Sequence, residues 1–334
     1  MTREALIARL PKVELHLHLE GTLEPELAFG FARRNDIDLP YASADEMRTA
    51  YRFADLQSFL DVYYASCSVL RTEQDFYDLT RAYLDRAIAD NVRHVEPFFD
   101  PQTHTSRNVP YHAVVTGIRR ALDEARERDG VTSQLILCIL RDLSAGDALA
   151  TLDEALEDDT PIDGIGLDSG EVGNPPSKFV EVYAQARAAG LHAVAHAGEE
   201  GPASYIRDSL DLLGVERIDH GVRCLDDPEL VARLVRDRMC LTVCPNSNVA
   251  LRVFGRMEDH PLRAMLDAGL SVTVNSDDPA YFGGYIGENY RAVASALDLS
   301  AGQLATLARN AITGSFADEE RKAELLAELE VAVG

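Results

Sequence analysis

The chain has 334 residues, of which 46% are hydrophobic and 26% charged, and its formal net charge is −24. That length and balance suit a soluble globular protein with a large core. The acidic excess excludes nucleic acid and anionic membrane as expected partners, since phosphate contacts need clustered Lys and Arg.

The chain opens with a short amphipathic helix, Thr2 to Leu10, stopped by Pro11. This segment lacks the apolar core of a signal peptide, and no stretch is long and apolar enough to span a bilayer, so a cytoplasmic protein is expected. Val13 to His18 alternates apolar and polar residues and reads as the first strand. Its His16 and His18, two apart, project from one face. Residues 24–91 are mostly helical in pattern, with breakers near Asp36 to Ser43. Further strands are expected at Val92–Phe99, Gln134–Leu140, Ile162–Asp168, Leu191–His196, Arg217–Gly221, Cys240–Pro245 and Leu270–Asn275. Helical patterns fall between them at Tyr111–Arg128, Ala145–Leu156, Ser177–Ala189, Ala203–Leu213 and Pro228–Arg238, and the chain ends in helices from Tyr290 to about Val333.

Strand and helix alternate about eight times, with short apolar strands and no low-complexity linker. This is the signature of a (β/α)8 TIM barrel with extra helices, expected here as one domain over residues 1–334. A doubly wound sheet competes, but no Gly-rich phosphate turn follows an early strand. A barrel carries its chemistry at the carboxyl ends of its strands. The polar residues cluster there: His16, His18 and Glu20 after the first strand, Asp168, Ser169 and Glu171 after the fourth, His196 and Glu199 after the fifth. Asp219 and His220 end the sixth, and Ser276, Asp277 and Asp278 follow the eighth.

Three imidazoles and a carboxylate from different strands suit one divalent cation with a position left for water. His16, His18, His196 and Asp277 form that set. Such an ion lowers the pKa of water from ~16 toward ~7. The only lysines are Lys12, Lys178 and Lys322. None ends the fourth or fifth strand, where a modified lysine could bridge two metals, and this favours one metal. The five cysteines, an odd number without a Cys-x-x-Cys pair, argue against disulfides and a thiolate site. Cys138, Cys240 and Cys244 read as small buried hydrophobes.

Several motifs together resemble the adenosine/adenine deaminase family. They are Leu15-His16-Leu17-His18-Leu19-Glu20-Gly21, His196-Ala197-Gly198-Glu199, Arg217-Ile218-Asp219-His220-Gly221, Cys244-Pro245-Asn246-Ser247-Asn248 and Ser276-Asp277-Asp278-Pro279. They run in the family's order from about residue 11 to the C-terminus. The resemblance implies a metal-dependent hydrolase barrel holding one Zn2+ on His16, His18, His196 and Asp277. Glu199 matches the acid that protonates purine N1. His220 matches the residue that orients the attacking water and steadies the oxygen forming at C6. Asp277 would also take a proton from that water. Asp278 matches the residue bonded to N7, and backbone near Ser169 and Gly170 would meet N3. His-rich ligation also suits iron.

The nucleoside-specific members usually carry Asp at the position of Glu20. The longer side chain resembles the free-base branch and would reach into the ribose space. Glu96 to Thr105 and Asp278 to Tyr285 are similar to that branch as well. One departure is Ser169-Gly170-Glu171, where the adenine branch usually has two serines before the glutamate; losing that side chain could admit a larger base. The expected substrate is therefore adenine, converted to hypoxanthine and ammonia. Adenosine or a modified adenine is the alternative, and a mononuclear metal hydrolase of another small molecule is the reading outside deamination.

Other residues read more plainly. Glu14, Glu24 and Glu26 are expected as surface or capping charges, and Asp219 as an orienting neighbour. His94, His104, His112, His192 and His260 lack a motif. Phe98 and Phe99 are equally suited to the core and to a purine face. Tyr51 to Tyr64 could form a lid or an ordinary helix layer. Homo-oligomer formation stays open, because barrels associate through ordinary amphipathic helix faces.

Overall fold

A computed structural model describes residues 1–334. Ten strands are present: β1 (Lys12–Glu14), β2 (Val92–Val95), β3 (Phe98–Phe99), β4 (Thr132–Ser133), β5 (Ile136–Leu140), β6 (Gly164–Asp168), β7 (His192–Ala197), β8 (Arg217–His220), β9 (Cys240–Val243) and β10 (Ser271–Val274). All pair in parallel, in the orders β1-β2-β4 and β10-β9-β8-β7-β6-β5-β3. Isolated bridges Leu17↔Asp277 and His18↔Phe98 join the two sheets into a closed barrel. Closure leaves no sheet edge to protect.

The ten strands make eight staves, as the alternation predicts. The second expected strand is split at Glu96-Pro97, because proline has no N–H for the ladder. The chain stays in register across the break: the Glu96 amide donates to the Glu14 carbonyl and the Ile136 amide to the Pro97 carbonyl. The third stave is likewise split into β4 and β5. The first is shorter than expected. β1 ends at Glu14, and Leu17 and His18 rejoin the barrel only through the two bridges. Staves such as Ile136–Leu140 are buried along their whole length, as parallel strands under helices must be.

The expected helices are present, and three more appear just after staves: Pro101–Thr105, Pro245–Ala250 and Pro279–Phe282. Each carries proline in its first turn, where the missing N–H costs nothing. A further helix, Leu262–Asp267, precedes β10. No helix is long and apolar enough to cross a membrane.

Candidate active site

The carboxyl ends of the staves open onto a cavity. Its lining includes His18, His196, Glu199, His220, Asp277, Asp278, Asp100, Asp168 and Ser169, with Tyr63, Tyr64 and an apolar cover of Leu56, Phe59, Leu60 and Leu251. At its floor, one donor atom from each of His16, His18, His196 and Asp277 lies within 4.8 Å of the others. Asp277 Oδ1 is 3.2 Å from His16 Nε2 and 3.5 Å from His18 Nε2, and His18 Nε2 is 3.2 Å from His196 Nε2. The Phe98 ring packs edge-on beneath His16 and His18, each 5.1 Å away between centroids.

The outer nitrogens of these imidazoles face polar neighbours, and that of His16 is hydrogen-bonded. Thr242 Oγ1 donates to Asp219 Oδ1 at 2.8 Å, so it must accept from His16 Nδ1 at 2.9 Å. That fixes the His16 tautomer and turns the Nε2 lone pair inward, where it finds no hydrogen-bond partner. His18 Nδ1 lies 3.4 Å from Asp168 Oδ2, and His196 Nδ1 lies 3.6 Å from Asp219 Oδ2. Burial lowers His18 to about 4, and burial with the neighbouring imidazoles lowers His196 well below its ordinary value. Both are neutral at pH 7. Burial works against charge on Asp277, but His16, His220 and His18 outweigh it and keep the carboxyl ionised. Imidazole nitrogens converging with one carboxylate oxygen are a donor set that fits a borderline dication.

The backbone is bent at these positions. Ser169, His220 and Asp277 have φ of 68°, 61° and 64°, in the left-handed region that ordinary side chains avoid. Each sits at a stave end, where the bend turns the side chain toward the cavity.

Glu199 is held from behind. Glu171 is buried, and its carboxylate accepts four backbone N–H groups, from Gly198 (2.6 Å), Glu199 (3.0 Å), Glu200 (3.0 Å) and Gly201 (2.8 Å). Glu199 Oε2 then lies 3.6 Å from His220 Nε2, which is 3.8 Å from Asp277 Oδ2. Burial pushes the Glu199 carboxyl well above the carboxylate range, helped by Asp277, Glu171 and Glu200, and burial beside Asp277 does the same to Asp278. Burial lowers His220 to about 3, so its imidazole is neutral. Gly21 leaves room for Asp278: a Cβ there would fall 2.0 Å from Asp278 Oδ1.

A model of the adenosine deaminase family matches residues 11–332 of this chain. The chain belongs to the adenosine deaminase family. It is 62% identical over 328 residues to an adenine deaminase of Sphingopyxis alaskensis, covering 98% of this chain and 96% of that one. It superposes on the crystal structure of an adenine deaminase from Arthrobacter aurescens with a TM-score of 0.96, at 56% identity and covering 97% and 99% of the two chains. An amidohydrolase from Burkholderia ambifaria, with bound Zn, matches at TM-score 0.89 and 30% identity, covering 98% and 93%.

Within this family member, all four expected ligands converge, and Glu199, His220, Asp278 and Ser169 line the cavity. Glu20 and Gly170 do not. Glu20 sits behind Asp100, its Oε1 accepting from the Asp100 amide at 3.1 Å and lying 2.8 Å from His104 Nε2. Gly170 stands outside the lining, and a Cβ there would meet nothing within 4 Å. Glu14 is corrected from surface to core. It is 1% exposed and accepts from the Ser276 amide and hydroxyl, both at 2.9 Å. Asp219 is the orienting neighbour expected of it. Phe98 and Phe99 are both core residues. His104 and the lining residues Asp100, Tyr63 and Tyr64 carried no motif. Their signals were coarser: Asp100 and His104 lie in the Glu96–Thr105 stretch similar to the free-base branch, and Tyr63 and Tyr64 in the stretch read as a lid or a helix layer. All five cysteines are free and buried.

Proposed function

We propose that this protein hydrolyses adenine to hypoxanthine and ammonia, with one zinc ion per chain held by His16, His18, His196 and Asp277. The observation that carries the reading is the placement of the buried Glu199 carboxyl beside His220 and the cluster of His16, His18, His196 and Asp277 in one cavity. The bound ion would act as a Lewis acid and lower the pKa of water at the site.

Glu199 donates its proton to purine N1, drawing electrons from C6. Asp278, kept protonated by burial, donates to N7 and fixes the ring in its plane. Asp277 has two tasks on two oxygens: Oδ1 faces His16 and His18, and Oδ2 faces His220. The second oxygen takes the proton from water as its oxygen attacks C6. His220 Nε2, poised between Glu199 and Asp277, orients that water and then steadies the charge forming on oxygen. The proton held by Asp277 passes to the 6-amino group, which leaves as ammonia, and the proton remaining on the C6 hydroxyl returns to Glu199, giving the C6 carbonyl and restoring the acid. The net change is one water consumed, with a 6-oxopurine and ammonia formed.

The close relatives named adenine deaminase support the free base as substrate. The test is a panel of adenine, adenosine, guanine and N6-substituted adenines, followed by ultraviolet absorbance and by metal analysis. Adenine should lead adenosine by orders of magnitude. Comparable kcat/KM for both would overturn the assignment, as would a full-activity protein lacking metal.

A further inference from the structure

The polar lining falls into two connected groups that meet at His18. Glu199, His220, His196 and Asp277 form one, and the proposed reaction uses all of it. The other is Asp100, Asp168 and Ser169 with Tyr63 and Tyr64, and the reaction leaves it without a task. Donor atoms of His18, Asp100 and Asp168 lie within 4.8 Å of one another. Tyr63 Oη donates to Asp100 Oδ2 at 3.3 Å, and Tyr64 Oη to Ser169 Oγ at 3.0 Å.

Asp100 is built in from three sides. It is 2% exposed. Its amide donates to Glu20 Oε1, which His104 Nε2 also contacts at 2.8 Å, and Arg107 Nη2 lies 2.7 Å from His104 Nδ1. Pro101 follows directly and starts a helix, fixing the backbone beyond. Yet Asp100 Oδ1 has no hydrogen-bond partner in the protein. Asp168 shares this wall and also carries an oxygen with no donor, and burial beside it raises the Asp100 carboxyl well above the carboxylate range, so Asp100 offers whatever fills the cavity a carboxyl oxygen as acceptor.

A 6-aminopurine supplies one. With N1 on Glu199 and N7 accepting from Asp278, the base carries its ring proton on N9, at the edge remote from C6. That edge falls to the second group. A nucleoside has a glycosidic carbon there and no N–H. We infer that Asp100 selects the free base over the nucleoside by accepting the purine N9–H, with Glu20 and His104 as positioning residues behind it. Glu20 therefore acts through Asp100 and not by filling the ribose space itself. The inference rests on adenine being the substrate. A site built to bond an N–H rejects the analogue without it by ~10⁴–10⁵-fold, because its buried acceptor is left unpaired.

The test compares adenine with 9-methyladenine, which removes the N–H and adds little bulk. The wild-type enzyme should favour adenine strongly. In Asp100→Ala, kcat/KM for adenine should fall about 3- to 10-fold, the net worth of a hydrogen bond between uncharged groups, while 9-methyladenine changes little or improves. The ratio of the two then falls by at least that factor. Asp100→Asn keeps the shape and an acceptor for Tyr63, and should lower the ratio by less, which keeps the test informative should the alanine variant unfold. Glu20→Gln should lower the ratio in the same direction at unchanged metal content. An unchanged ratio in Asp100→Asn and Glu20→Gln, with both substrates losing equally, overturns the inference. Failure of the wild-type enzyme to deaminate adenine overturns the proposed function instead.

Discussion

Glu199 combines two requirements that usually conflict, a carboxyl that keeps its proton at neutral pH and a fixed position. Burial and three nearby carboxylates supply the first, and the Glu171 clamp supplies the second. Glu199→Gln keeps the shape and removes the acid. Turnover should fall ~10²-fold or more with zinc content unchanged, measured by steady-state kinetics and metal analysis. Glu171→Gln should act at one remove. A single amide oxygen cannot serve four N–H donors, so kcat should drop ~10-fold or more while KM for adenine moves little, and a parallel loss of metal would place the defect elsewhere. The convergence of His16, His18, His196 and Asp277 was legible at this scale because imidazole and carboxylate at stave ends have few other uses. Glu14 was misread because a charged residue on a short strand reads as surface. Only the fold shows that Ser276, from the other end of the chain, gives it two donors. The roles of Asp100 and His104, inside a stretch similar to the free-base branch, were hidden for a similar reason, since both contact Glu20, far off in sequence.

At the scale of elements, the helix Leu56–Ser66 roofs the cavity. Asp55 caps it in a reciprocal box with Ser58, and Phe59, Leu60 and Tyr63 pack with Phe53, Leu251, Tyr281 and Phe282 in an apolar cluster separate from the main core. A cover with its own small cluster can open without unfolding the barrel. Binding of a non-reactive purine should slow amide exchange in residues 56–66 more than in the barrel staves, read by hydrogen-exchange mass spectrometry. Equal protection throughout would mean the roof does not move on binding. The alternation of strand and helix was readable from hydrophobic period alone. The roof was not, because its aromatic residues fit an ordinary helix layer equally well. The one-turn helices after Asp100, Cys244 and Asp278 are too short for periodicity and show only as X-Pro steps.

The whole molecule is tied together through the barrel interior. Arg217 pairs with Glu96, both fully buried, and also donates to the Leu15 carbonyl at 3.1 Å. Burial raises the Glu96 pKa, but Arg217 and His94 outweigh it and bring it down from 4.5 to about 2. A depressed carboxylate stabilises the fold above the unfolded pKa and loses that contribution as pH falls from about 4.5 through 2. The difference is worth ~3 kcal/mol. Urea unfolding followed down this window should show that loss. Glu96→Gln should flatten it and cost ~3–5 kcal/mol at pH 7 by stranding Arg217. The barrel closes at Leu17 and Asp277, beside two of the proposed ligands. A ribosome must therefore synthesise most of the chain before the fourth ligand can join the other three. Tight cation capture is then a late, post-synthetic event, and a prematurely terminated product would release no ammonia however well its early staves had formed.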